Sequence, residues 1–102
     1  MFGLIGAIRA TPGDRDELMD ALAAGSQDMP GNESYVIAAD ANDPDLVWVT
    51  ESWRSREYHQ ASLSLPAVQE AIARARPLIA GFESQVETVP LPAPETPATR
   101  SI

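Results

Sequence analysis

The chain has 102 residues, no cysteine and a net charge of −8, which defines a single domain and excludes disulfides, thiolate nucleophiles and thiolate metal sites. Its 44% hydrophobic and 22% charged residues are those of a globular chain, with no apolar run near the ~20 residues of a membrane span. The 7 basic residues are scattered among 15 acidic ones, leaving no cationic patch for a phosphate backbone, so neither nucleic acid nor membrane is an expected partner. With no signal-peptide pattern at the start, a cytoplasmic location is the expectation.

Residues 2–10 read as a strand apolar on both faces: Phe2, Leu4 and Ile8 point one way, Ile5 and Ala7 the other. Thr11-Pro12-Gly13-Asp14 predicts a helix start, with Thr11 as N-cap and Pro12 in the first helical position. Leu18, Ala21, Leu22 and Gly25 then form one apolar stripe, while Asp14, Asp16, Glu17 and Asp20 make a solvated face. Met29-Pro30-Gly31 ends that helix. Ser34–Ala39 and Leu46–Trp53 predict a hairpin joined through the loop that holds Asp43-Pro44. In its second arm Leu46, Trp48, Thr50 and Ser52 share one face; Val47, Val49, Glu51 and Trp53 share the other.

Ser55 fits the N-cap of a helix that breaks near Leu63. Ser64, with Pro66 behind it, predicts the start of another, on which Val68, Ala71, Ile72 and Ala75 fall at helical spacing before Pro77 stops it. Phe82–Val89 alternates like a fourth strand. Residues 90–102 carry four of the 9 prolines and read as a tail or an extended arm, set apart from a domain over 1–89.

The order β-α-β-β-α-β predicts an α+β, ferredoxin-like fold: a four-stranded antiparallel sheet with helices on one face. Apolar side chains on both faces leave one face needing a cover. A second copy packed sheet on sheet would supply it, so a homodimer is expected. The alternative is that the proline-rich segment folds over its own sheet.

Several segments together resemble the antibiotic-biosynthesis monooxygenase family over residues 1–89. They are Pro30-Gly31-Asn32-Glu33-Ser34-Tyr35, Asp43-Pro44, Val47-Trp48-Val49-Thr50-Glu51-Ser52-Trp53, Ser55–Glu57, Ser62-Leu63-Ser64-Leu65-Pro66-Ala67-Val68 and Arg76-Pro77-Leu78-Ile79. The resemblance implies a dimeric α+β barrel with a pocket between sheet and helices on each protomer. The family includes cofactor-independent oxygenases of anthrones and quinols, haem-degrading enzymes and isomerases, so the site has to decide the chemistry. The haem-degrading members use a helical histidine and a first-strand asparagine. Here the last helix has Ile72 and Arg74, and the first strand has no asparagine.

A cofactor-free oxygenase needs to favour the anion of an electron-rich phenol, through a base or a fixed donor. His59 is the candidate base, being the one side chain whose unperturbed pKa lies near neutrality. Many members of the family carry a histidine nine residues after the aromatic that matches Trp53; here that position is Ser62, and His59 stands one turn earlier on the same helical face. Trp53 matches the family's strand-end aromatic and either stacks on a planar substrate or packs in the core. Glu51 matches the strand acid and orients a neighbour or stays solvated. Tyr35 is a boundary tyrosine or a donor to a substrate carbonyl. Trp48, on the face opposite Trp53, belongs to the expected dimer interface. Arg74 and Arg76 either hold an anionic substrate oxygen or make exposed ion pairs.

One histidine and no cysteine do not make a usual transition-metal site, and no phosphate loop follows the first strand, so no cofactor is expected. The reading is a cofactor-independent monooxygenase acting on a small aromatic quinol or phenol and O2. The alternative is a non-catalytic small-molecule binder or stress-associated dimer of the same fold.

Overall fold

A computed structural model describes residues 1–91, so the expected tail lies outside the described residues from position 92 onward. The element order is β1 (Phe2–Ala10), α1 (Arg15–Gly25), β2 (Asn32–Ala39), β3 (Leu46–Trp53), α2 (Arg56–Ser62), α3 (Pro66–Ala75) and β4 (Ile79–Thr88). The strands form one antiparallel sheet in the order β2-β3-β1-β4. This is the ferredoxin-like α+β topology, with α1 as one crossover and α2–α3 as the other.

Among the element boundaries that differ from those the residue pattern predicts, three have a clear local reason. Helix α1 begins at Arg15, because Gly13 takes a left-handed φ of 85° and the Asp14 N–H closes a turn onto the Thr11 carbonyl. The Thr11 hydroxyl is spent on the Asp14 carboxylate, and Asp14 takes the N-cap position. The N-cap of α3 is Leu65 instead of Ser64, whose N–H donates to the Ala61 carbonyl in the exit turn of α2. Pro66 fills the first helical position, where a missing N–H costs nothing. Strand β4 starts at Ile79, ahead of Phe82, because a short 3-10 turn over Arg76–Leu78 delivers the chain straight onto β1, where Ile79 pairs with Ala10.

The pairing registers sort side chains into rows across the sheet. Tyr35, Glu51, Leu4 and Glu87 form one row; Ile37, Val49, Gly6 and Gln85 form the next. These rows face the helices. Leu18 and Ala21 of α1 and Ala75 of α3 pack on Val47, Val49 and Ala10 in one core cluster, while Phe2, Leu4, Met29 and Trp53 form a second cluster at the other end of the sheet. The opposite face carries the row Val36, Thr50, Ile5 and Val86, with Val36 55% and Val86 52% exposed. Beside it the Trp48 indole N–H donates to Asp40 Oδ1 at 2.8 Å.

Helices α1 and α3 approach closely through small residues. A Cβ placed on Gly25 would overlap the Ala71 methyl group, so glycine is required there by contact, not by backbone conformation. Gly25→Ala is expected to lower stability by about 1–3 kcal/mol in urea titration, the usual cost of overpacking, although alanine is the better helix former. Adding Ala71→Gly is expected to restore part of the loss, and a simple sum of the two single effects would contradict the contact.

Candidate active site

Between the helix-facing rows of the sheet and helices α1, α2 and α3 lies a cavity of about 610 Å³, within the usual size for a small-molecule site. Its wall is largely apolar, with Ile8, Leu22, Met29, Val68, Ala71 and Ile72 among its residues. The polar groups that break this wall are Ser26, Tyr35, Glu51, His59, Ser62 and Arg76. Strand alternation brings Glu51 and Trp53 to this side, and β2 pairs Tyr35 directly against Glu51. Helix α2 hangs His59 and Ser62 over the same end of the sheet, because Ser55 caps it immediately after β3 by accepting the Tyr58 N–H.

The geometry centres on Glu51. Its Oε1 accepts the Trp53 indole N–H at 3.0 Å and stands 3.9 Å from His59 Nε2. The second distance is too long for a hydrogen bond; it is an ion-pair distance when the imidazole is protonated. The His59 ring is held edge-on to Trp53 and tilted against Phe2, with ring centroids 5.5 Å apart in each case. Behind Phe2, the Arg56 guanidinium sits 4.5 Å from the ring centre and forms a two-pronged ion pair with Glu87 at 2.7 and 2.9 Å. Ser62 is buried and donates to the His59 carbonyl at 2.6 Å, so its proton is already committed to the helix.

Burial pushes the Glu51 carboxyl above the ordinary glutamate range, opposed by the Trp53 N–H and by the charge of His59. Burial, and then the charge of Glu51, raises the Tyr35 phenol well above its ordinary range. Tyr35 therefore stays a neutral O–H donor throughout the physiological range.

His59, Trp53, Glu51, Tyr35 and Ser62 all line the cavity. Arg74 does not: it is exposed on the outer side of α3, and Arg76 lines the cavity in its place. Phe2, which holds the imidazole from the side, was not singled out from the sequence. Its signal was the antiparallel register, which sets it opposite Trp53. Among the described residues no group of three or more His, Asp or Glu side chains gathers to hold a metal ion, and no helix is long and apolar enough to cross a membrane.

A two-layer α+β domain with a largely apolar cavity under its helices is the architecture of several small-molecule enzymes and binders. The profile of the antibiotic biosynthesis monooxygenase family matches residues 1–74, and this chain belongs to that family. A solved structure of a family protein from Chloroflexus aurantiacus is 56% identical, with a TM-score of 0.88 over 90% of this chain and 94% of that one. Two more distant structures share the fold. A family protein from Nitrosomonas europaea has a TM-score of 0.80 at 17% identity, over 89% of this chain and 99% of that one. A protein from Pseudomonas aeruginosa has a TM-score of 0.77 at 20% identity, over 89% and 94% of the two chains. No functionally curated protein matches the chain.

The raised Glu51 pKa makes the site a cost to stability at neutral pH. Below the ordinary glutamate pKa of about 4.3, folded and unfolded chains both hold the proton. As pH rises the unfolded chain releases it first, and stability falls until pH passes the raised native value. Glu51→Gln, whose carbonyl still accepts the Trp53 N–H, is therefore expected to melt higher than the parent at pH 8. The gain should vanish near pH 4. A gain independent of pH would place its origin elsewhere.

Proposed function

We propose that the protein is a cofactor-independent monooxygenase of small aromatic quinols or phenols. The observation that carries this reading is the pairing of His59 Nε2 with Glu51 Oε1, 3.9 Å apart, on the wall of an otherwise apolar cavity large enough for a fused-ring substrate. His59 takes the phenolic proton, and Glu51 stabilises the imidazolium that results. Tyr35 donates to the substrate oxygen, and Trp53, buried in the core behind the wall, holds Glu51 in place through its indole N–H. The phenolate passes an electron to O2, and the radical pair combines at the activated ring carbon. The hydroperoxide then loses water to leave a carbonyl. One oxygen atom ends in the quinone and the other in water, so the four-electron oxidation of the substrate, which loses two hydrogens and gains one oxygen, balances the four-electron reduction of O2.

We place the reaction in the cytoplasm and in a homodimer. The row of exposed Val36 and Val86 with half-buried Ile5 between them supports a second copy packed sheet to sheet, which would cover this apolar face in a two-fold assembly. A second reading, a non-catalytic binder of aromatic molecules, is favoured by one observation: Ser62 stands where many members of the family have a histidine, and its proton is committed to the His59 carbonyl.

Oxygen uptake with a dihydroxynaphthalene or an anthrone separates the two readings. The enzyme is expected to consume one O2 per substrate, and His59→Ala to reduce kcat/KM by about 10²–10⁴-fold, the range for loss of a general base. Saturable binding of these compounds without uptake would establish the binder instead. Sedimentation equilibrium is expected to give twice the chain mass, and Val86→Asp to shift it toward the single chain; a monomeric parent protein would remove the dimer.

A further inference from the structure

The polar groups of the cavity are divided between its two ends, and β1 measures the separation. Leu4 pairs with Glu51, whereas Ala10 pairs with Ile79, which follows directly on the turn that begins at Arg76. Leu4 and Ala10 are separated by about 20 Å of strand at ~3.3 Å per residue. Glu51 and His59 thus occupy one end of the cavity and Arg76 the other, with Leu22 and Ala71 among the apolar side chains between them.

Arg76 supplies the one permanent positive charge among the described residues that line the cavity. Arg9 and Arg56 are neutralised by Asp43, Glu83 and Glu87, but Arg76 has no ion pair or side-chain hydrogen bond with any described residue. The wall beside it, Ile79 to Phe82, brings no acid of its own. The whole chain carries −8 and would repel an anion, so any preference for one has to come from a local cation.

We propose that Arg76 sets the substrate class of this cavity by binding a carboxylate at the far end of a fused aromatic skeleton, whose phenolic end lies at His59 and Glu51. The proposal rests on the oxygenase reading of the same cavity for the orientation of the phenol; the carboxylate contact itself is independent of turnover. The guanidinium fork matches a carboxylate in two parallel hydrogen bonds. Its position at the exposed rim keeps the contribution modest. An anchor this far from the reacting carbon acts alike in ground and transition states, so its loss raises KM and spares kcat.

The test uses the whole protein and two pairs of probes. Binding of 2-naphthoate and of the uncharged naphthalene methanol is followed by tryptophan fluorescence and calorimetry. The parent is expected to favour the acid several-fold. Arg76→Gln should abolish that preference and leave naphthalene methanol unchanged, Arg76→Lys should keep part of it, and Arg74→Gln should keep all of it. Equal binding of the two probes by the parent, or a preference that survives Arg76→Gln, overturns the proposal. Turnover is then compared for a dihydroxynaphthalene with and without a carboxylate on its non-hydroxylated ring. A KM difference lost in Arg76→Gln supports the anchor. Turnover of both compounds with equal KM overturns the anchor and leaves the oxygenase standing. Selective binding of the acid with no oxygen uptake supports the anchor and removes the oxygenase.

Discussion

The 3.0 Å hydrogen bond from the Trp53 indole to Glu51 is the contact on which the site depends. Alternation along β3 puts both side chains on the helix-facing side of the sheet. Trp53 is almost completely buried, at 1% exposure, so its N–H requires a partner, and Glu51 is the acceptor within reach. In meeting that requirement the carboxylate is drawn under the helices and partly desolvated, which raises its pKa. An indole needed for packing thereby positions an acid beside the single histidine.

The space that this acid faces has a packing origin. Small residues, Gly25 and Ala71 above all, let α1 and α3 come together, and the two core clusters then fill the two ends of the sheet unequally. One is built on Val47 and Leu18; the other is built on Phe2 and Trp53, with the His59 ring edge-on to Trp53. The gap between them is the cavity. Its walls are rigid at the imidazole end, where Arg56 and Glu87 clamp Phe2 against His59. They are more open at the end near Phe82, which is 74% exposed. A ligand entering from the open side would meet Arg76 first and the acid–base pair last.

Glu51 and Tyr35 also illustrate why one buried acid has several consequences. They are direct cross-strand neighbours, and the charge of one adds to the burial that keeps the other protonated. A carboxylate able to hold an imidazolium and a phenol fixed as a donor are complementary tools for stabilising a developing phenolate. Their opposite roles arise from identical registers on adjoining strands, not from any special backbone geometry.

Much of this was legible in the residues. Period-two alternation in Leu46–Trp53 and in Phe2–Ala10 is a local property, so the strands and the face of each side chain could be read directly. The cavity-lining positions of Glu51, Trp53, Tyr35 and His59 follow from those faces once the hairpin and the capped α2 are known. The helix starts are less legible, because Gly13 and the exit turn of α2 redirect the chain through hydrogen bonds that no propensity records. The tertiary structure alone decided that Arg76 and not Arg74 reaches the cavity. Arg74 lies in the last turn of α3 and Arg76 opens the 3-10 turn that follows it, and which of the two reaches inward depends on how α3 is rolled against α1 and where the turn into β4 lands on β1. Faces are set by neighbours in the chain, whereas the ends of a cavity are set by register between segments distant in sequence.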